Sequence, residues 1–316
     1  MIDVFGANGF GCLKNVELKL TKLHALVGPN DSGKSTILKG IRALSAIAER
    51  TRDPNVVPEA MMAEPCSLWA GVGGDQFRFT RGPGQEDSQK GRDSAREGAR
   101  GAKIVRWSPT SLRNPSSFVE ELDQFWRHGG QGLPGVLGNV FLRSESALSE
   151  LNVRLRELFP ALESIRVAPV NNTLRIDARL RDGRIVEANQ LSDGIFYYLA
   201  FTVLRYLPEP SIVLIDEPEN GLHPARIADI VGMLRTVTET QPVQIVMATH
   251  SPLIINELQP DEVTIVTRTP EDGTRVTPIA ATKNFADRAK VYALGELWLS
   301  YCDGRLEEEL VPAKST

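Results

Sequence analysis

The sequence predicts an α/β fold with a mainly parallel core sheet, an antiparallel β subdomain and a short helical/β lobe. Three observations carry this expectation. From Gly194 onward an apolar helix, the strand IVLID, a helix from Pro224 and the strand VQIVMAT follow one another. That is the alternation a parallel sheet with crossover helices requires. Residues 1–50 supply an alternating edge strand (VELKL), an apolar strand (HALVG) and helical periodicity from Ser35 to Ala48. Short β-like pieces complete the picture: SLWAGV, QFRFTR and KIVRW, then IRVAPV, LRIDARL and RIVEA, the last three separated by the turn signals NN and RDG.

Between QFRFTR and KIVRW the stretch PGQEDSQKGRDSAREGARG is rich in Gly, Ser and charge and lacks large apolar residues. It reads as a flexible loop over 82–101. Residues 111–160 read as mostly helical, interrupted by GGQGLPG and by NVFLR, which looks strand-like. Near the end, VTIVTR and RVTPI read as strands, followed by a helix near Lys283 to Ser300 and the acidic run Glu307 to Glu309. The expected organisation is one head over 1–316, with an inserted lobe over about 50–190 and a C-terminal extension over 260–316.

Composition narrows the function classes. The chain has 316 residues, 41% hydrophobic and 24% charged, the balance of an ordinary globular protein. A net charge of −4 argues against coating by nucleic acid over the whole surface, though a local basic patch is compatible with it. Cys12, Cys66 and Cys302 are widely spaced and suggest neither a disulfide framework nor a zinc site, so a reducing cytoplasm is expected. MIDVFGANGFG has no signal-peptide pattern, and the apolar run Ile195 to Leu204 is too short to span a bilayer. No membrane association is expected.

The strongest motif is GPNDSGKST, Gly28 to Thr36, which matches G-x-x-x-x-G-K-[ST] between an apolar strand and a helix. Glycines let backbone N–H groups wrap phosphates at a helix N-terminus. Gly28, Asn30, Ser32, Gly33, Lys34, Ser35 and Thr36 are therefore the candidate nucleotide contacts. Lys34 would bridge the β- and γ-phosphates, and Ser35 would take a position on Mg²⁺. In IVLIDEPENGLHP, Asp216 closes an apolar strand, where it would hold Mg²⁺ through the ion's water shell. Glu217 is placed to polarise the attacking water. VQIVMATHSP brings His250 to the end of another buried strand, where ligands of open α/β sheets bind, as a candidate γ-phosphate sensor.

Together these residues resemble the ABC-type P-loop ATPases, most closely the soluble SMC, RecF and OLD-like branch. The resemblance covers Phe10 to Thr36 and Leu191 to Pro252. It implies an ABC ATPase head that binds ATP and Mg²⁺, hydrolyses ATP and dimerises around two nucleotides. LSDG, Leu191 to Gly194, stands where the family carries its signature motif. The resemblance implies that Ser192 and the Gly194 backbone reach the γ-phosphate held by the other protomer. It also implies that ENGLHP, Glu219 to Pro224, is the D-loop crossing the dimer interface. LSDG also suits a Ser/Asp helix cap, and the two readings are compatible.

The departures are informative. Asp193 occupies a signature position where Gly is commoner, and GFGCLKNV lacks the Arg-Ser pair of many SMC-like proteins. A Q-loop glutamine is not assignable between Gln124 and Gln131. Only residues 144–190 separate NVFLR from the signature, too few for a long coiled coil at about 1.5 Å per helical residue. No TOPRIM-like nuclease fits into residues 251–316 either, so a separate effector or nuclease chain is expected. Its docking surface would be the stripe Leu294, Leu297 and Trp298, which suits packing on its own domain equally.

Two arginine-bearing segments, Asp75 to Arg106 and Arg154 to Arg184, are candidate DNA contacts and equally ordinary solvated faces. The expected function is an ATP-driven homodimer acting on DNA, in genome maintenance or defence against foreign DNA. A low-turnover ATP switch and a transporter nucleotide-binding subunit are the alternatives.

Overall fold

The computed structural model describes residues 1–51, 57–83, 87–117, 125–126, 129–207, 211–269 and 271–302. The chain divides into two units: Met1–Ile104 with Glu209–Glu219 and Leu234–Thr316, and Val105–Pro208 with Asn220–Met233. Each is described by itself.

The first unit is built on two sheets. Strands β1 (Val4–Phe10), β2 (Val16–Lys19), β4 (Met62–Val72), β5 (Asp75–Arg81) and β6 (Ser88–Gly91) form an antiparallel sheet in the order β2-β1-β4-β5-β6. The second sheet adds β3 (Leu23–Val27), β7 (Ala102–Val105), β11 (Ile212–Asp216), β12 (Gln244–Thr249), β13 (Val263–Thr269) and β14 (Gly273–Pro278), in the order β14-β13-β3-β12-β11-β7. Its central pairs β11/β12, β12/β3 and β3/β13 are parallel, and β14 pairs antiparallel at the edge. All five residues of β3 and all six of β12 are buried. Strands covered on both faces have no polar-out positions to alternate with, which is why they read as continuous apolar runs.

Helix α1 (Lys34–Ala48) buries Ile37, Leu38, Ile41, Leu44 and Ile47, a face spaced at three and four residues. These side chains join Phe5, Phe10, Leu26, Leu68, Phe77, Leu214 and Val246 in one hydrophobic cluster.

The segment 82–101 differs from the expected flexible loop. Residues 84–86 lie outside the described residues, but β6 and helix α2 (Asp93–Gly98) occupy the rest. Small side chains anchor them: Ala95 and Ala99 are fully buried, and Arg96 donates from Nε to the Ala48 carbonyl with its guanidinium over the Phe77 ring. A core contact made by alanines is invisible to a search for large apolar residues.

Residues 62–104 group with the first unit. In the stretch after 260, β13 pairs directly with β3.

In the second unit, helices α3 (Pro109–Arg113), α4 (Leu133–Arg143), α5 (Glu145–Leu158) and α6 (Asp193–Val203) accompany an antiparallel sheet. That sheet is β10-β9-β8, from β8 (Leu162–Val170), β9 (Thr173–Leu180) and β10 (Ile185–Glu187). NVFLR is helical, not a strand: it completes α4, whose Leu133, Val136, Leu137 and Val140 are buried at helical spacing. Short apolar runs do not distinguish the two states, and here the preceding GVLG supplied the missing turns. Gln124 lies outside the described residues.

Helix α7 (Ile227–Thr240) spans the boundary between the units. In the first unit α8 (Pro252–Asn256), α9 (Phe285–Arg288) and α10 (Leu294–Cys302) follow, so the single helix expected over Lys283 to Ser300 is two. The stripe on α10 is not free for a partner. Leu297 and Trp298 are 0% and 2% exposed, and the Gly295 N–H donates to Asn256 Oδ1 at 2.7 Å, tying α10 to the end of α8. The run Glu307–Glu309 lies outside the described residues. Among the described residues no helix is long and apolar enough to cross a membrane.

Candidate nucleotide site

The loop Gly28–Gly33 joins buried β3 to α1, and its backbone explains its glycines. Gly33 has φ 107°, and a Cβ there would stand 2.3 Å from Thr274 Oγ1. At Gly28 a Cβ would stand 2.1 Å from the Val266 carbonyl oxygen. Asp31 adopts φ 63° and receives Arg268 Nη1 at 3.2 Å, while Thr274 Oγ1 donates to the Ser32 carbonyl at 2.9 Å. Strand β13 and the first residues of β14 therefore buttress the loop from behind. Asn30 is exposed on its rim.

The first turn of α1 contains no acidic residue of its own, so the helix does not offset its own positive end. Lys34 Nζ donates to the Gly28 and Pro29 carbonyls, each at 2.7 Å. Burial pushes its pKa below the usual lysine range, opposed by the carboxylates of Glu217, Asp216 and Glu219.

Asp216 is the last residue of β11 and stands opposite Ala248 of β12. Ser35 Oγ donates to Asp216 Oδ1 at 3.0 Å. The next residue, Glu217, turns into the left-handed region at φ 56°, with its N–H donating to the Ala248 carbonyl at 2.8 Å. A non-glycine residue held there costs about 1–3 kcal/mol and typically marks a functional turn.

One step beyond β12, His250 Nδ1 lies 3.9 Å from Glu217 Oε1 and 3.3 Å from Glu219 Oε1. Lys34, Ser35, Asp216, Glu217 and His250, separated by up to 216 positions in the sequence, thus gather at one end of the parallel sheet.

Glu219 is a site residue to which sequence reasoning gave no role of its own. It opens the loop expected at an interface, and its side chain is only 10% exposed and turned inward within the chain. Its Oε1 accepts from the Thr249 hydroxyl at 2.7 Å and from the His250 N–H at 3.1 Å. No local signal distinguishes an inward from an outward glutamate in a loop; the contact spans thirty positions.

The residues present suit ATP and Mg²⁺. Ser32 Oγ and Glu219 Oε2 are buried without a hydrogen-bond partner, and such atoms are costly unless something binds them. The paired Ser35 hydroxyl and Asp216 carboxylate are hard oxygen donors. Mg²⁺ is commonly held by one or two carboxylates plus substrate phosphates and water. Among the described residues there is no cluster of three acidic, His or Cys side chains that would suit an all-protein metal cage. Bound there, Mg²⁺ would neutralise charge on the β- and γ-phosphate oxygens.

Ser192 and Gly194 belong to the second unit. Ser192 is exposed at the N-terminus of α6, and its side chain makes no capping hydrogen bond, so the cap reading of LSDG rests on backbone geometry alone. Arg113, unassigned from sequence, donates to Leu191 O at 2.8 Å and to Asp193 Oδ1 at 2.5 Å.

A glycine-rich loop after a buried strand, a lysine at the start of the following helix and an acidic pair at the end of a strand two places away in the sheet are the arrangement of a P-loop nucleotide site. Two family models match the chain: one described as "AAA domain, putative AbiEii toxin, Type IV TA system" over residues 110–256, and a further AAA domain over residues 2–98.

Among solved structures, an SMC head bound to the C-winged helix domain of ScpA is similar at 19% identity and TM-score 0.61, covering 87% of this chain and 97% of that one. The SMC head domain from Thermotoga maritima is similar at 14% identity and TM-score 0.53, covering 88% and 98%. An Smc head domain with an extended coiled coil, bound to the C-terminal domain of ScpA derived from Pyrococcus furiosus, gives 16%, 0.54, 87% and 95%. No curated protein matches the sequence. The chain thus carries AAA-domain matches over residues 2–98 and 110–256 and shares the fold of SMC head domains.

Proposed function

We propose that this ATPase hydrolyses ATP as an ATP-dependent homodimer, in which Ser192 and Gly194 of one copy complete the nucleotide site of the other. The observation that carries the hydrolytic reading is the gathering of Lys34, Ser35, Asp216, Glu217 and His250 at one sheet end. In this reading Lys34 exchanges its two loop carbonyls for phosphate oxygens, and Ser35 and Asp216 hold Mg²⁺. Glu217 accepts the proton of the attacking water, while His250, oriented by Glu219, faces the γ-phosphate.

Sharing of the site between copies is supported by the exposure of Ser192 at the N-terminus of the eleven-residue helix α6. A separate effector chain is supported by the two similar SMC heads that are bound to ScpA domains. Action on DNA, in genome maintenance or defence, rests on the arginines of β8–β10 and their connections.

The decisive experiment is Glu217→Gln. Turnover should fall about 10²–10⁴-fold, the usual contribution of a general base, while ATP affinity stays unchanged. Light scattering should then show an ATP-bound dimer. Unchanged turnover would remove Glu217 from this role, and a monomer at every ATP concentration would remove the dimer.

A further inference from the structure

Asp193 presents a physical problem for the shared site proposed above. It places a carboxylate beside Ser192, where the nucleotide of a second copy would bring its γ-phosphate. Like charges at contact distance repel strongly in a partly dry interface. The second unit contains the group that answers this.

Arg113, the last residue of α3, reaches the 188–193 segment through two of its guanidinium nitrogens. Nη2 donates to Asp193 Oδ1 at 2.5 Å and to the Leu191 carbonyl at 2.8 Å, and Nε donates to the Ala188 carbonyl at 3.2 Å. The plane of charge lies over the Phe196 ring, 4.8 Å from its centroid. Arg113 is only 20% exposed, whereas Asp193 is 54% exposed, so the cation is fixed from inside the unit and the anion faces outward.

The loop is held at its other points too. Glu187 and Gln190 cap the 3-10 turn Ala188–Gln190 reciprocally. On α6, Tyr197 donates its O–H to the Trp107 carbonyl, and its ring lies so close to Gly221 that a Cβ there would stand 2.2 Å away. The Ser192 side chain on this frame is exposed and makes no capping hydrogen bond.

We propose that Arg113 is the positioning residue of the signature loop. It neutralises Asp193 and fixes the carbonyls of Ala188 and Leu191, so that Ser192 and the Gly194 N–H meet the γ-phosphate of the second copy. The proposal rests on the shared-site reading. Lysine does not replace arginine here, because one ammonium cannot serve two carbonyls and a carboxylate in a plane while stacking on a ring.

The test uses purified full-length chains mixed in pairs, with ATP turnover as the readout and circular dichroism melting to confirm folding. Alone, Arg113→Ala should lose about 100-fold in turnover, the scale of a catalytic group misplaced by an ångström, with ATP affinity retained. Mixed with Lys34→Ala, it should regain activity, because one composite site then carries both lesions and the other is intact. Mixed with Ser192→Arg it should not, because every composite site then carries a defective signature.

The control mixture is Ser192→Arg with Lys34→Ala. Recovery in the control without recovery of Arg113→Ala by Lys34→Ala overturns the role of Arg113 and leaves the shared site standing. No recovery in the control overturns both. Wild-type turnover of Arg113→Ala also overturns the proposal. If Arg113→Ala melts before assay, Arg113→Lys replaces it: it keeps a cation beside Asp193 but cannot serve both carbonyls and the carboxylate at once. Turnover reduced by the same pairing logic supports the proposal, and wild-type turnover with unchanged affinity overturns it.

Discussion

Glu219 and Thr249 are joined across the top of the sheet by a 2.7 Å hydrogen bond from the threonine hydroxyl to Oε1, the oxygen that also receives the His250 N–H. Through this contact the loop after β11 controls the loop after β12, since Thr249 is fully buried and has no other place to turn.

Glu219→Ala should therefore lower turnover about 100-fold through misplacement of His250, with ATP affinity within a few-fold of wild type. It should also cost about 1–3 kcal/mol of stability, because the Thr249 hydroxyl is left buried without its acceptor. Glu219→Gln retains one carbonyl acceptor and should lose less of both. Steady-state kinetics with parallel urea melts separates the two effects; unchanged turnover in the alanine variant would show that the bond holds only the fold.

His24 should make stability fall in mild acid. It is 1% exposed in β3, with Nε2 2.9 Å from Thr264 Oγ1 and Nδ1 3.1 Å from Thr21 Oγ1. Burial lowers its pKa from 6.5 to about 4, with Glu262 opposing; Glu262 is itself paired with Arg235. The unfolded chain takes up this proton near pH 6.5 and the native protein only near pH 4. The contribution is thus complete above about pH 6.5, declines as pH falls, and is lost by about pH 4. At roughly 1.4 kcal/mol per pH unit it amounts to about 3 kcal/mol. Urea midpoints of wild type and His24→Gln should diverge above pH 6.5 and converge toward pH 4; parallel curves would contradict this.

Trp298 should behave as a core residue. Its truncation to alanine should cost about 3–5 kcal/mol, the usual range for a buried aromatic, readable in the unfolding midpoint. A small change would return α10 to candidacy as a docking surface.

The DNA reading predicts affinity that falls with salt, with a slope near −0.9 per phosphate neutralised. The arginines are unequal tests of it. Arg175 is bonded to Asp177 and paired with Glu187, Arg92 is paired with Asp75 and Arg100 with Glu97. Arg96 is turned inward onto the Ala48 carbonyl. Reversing the exposed Arg179 and Arg181 should reduce both affinity and slope while leaving the fold intact. Reversal of Arg96 would instead report on stability. Fluorescence anisotropy at several salt concentrations distinguishes them, and no binding at low salt with ATP would end the DNA reading.

The sequence by itself determined the two ends of the fold and the local half of the site. Gly28 to Thr36 and the runs ending at Asp216 and Thr249 were legible because each depends on a short-range rule: a loop that only small residues permit, and strands buried on both faces. Tertiary structure alone decided which side chains meet. The same glutamate loop can turn toward an interface or inward, and Glu219 turns inward because Thr249 and the His250 N–H, thirty positions away, need an acceptor. Arg113 meets Asp193 eighty positions later only because α3 and α6 pack together. Helix and strand were interchangeable for NVFLR until the buried face of α4 selected one. Residues 88–99 look like a solvated loop until Ala95 and Ala99 find a core small enough to accept them. Periodicity and turn chemistry act over a few residues, whereas burial, charge pairing and hydrogen-bond satisfaction are settled by neighbours that only the folded chain brings near.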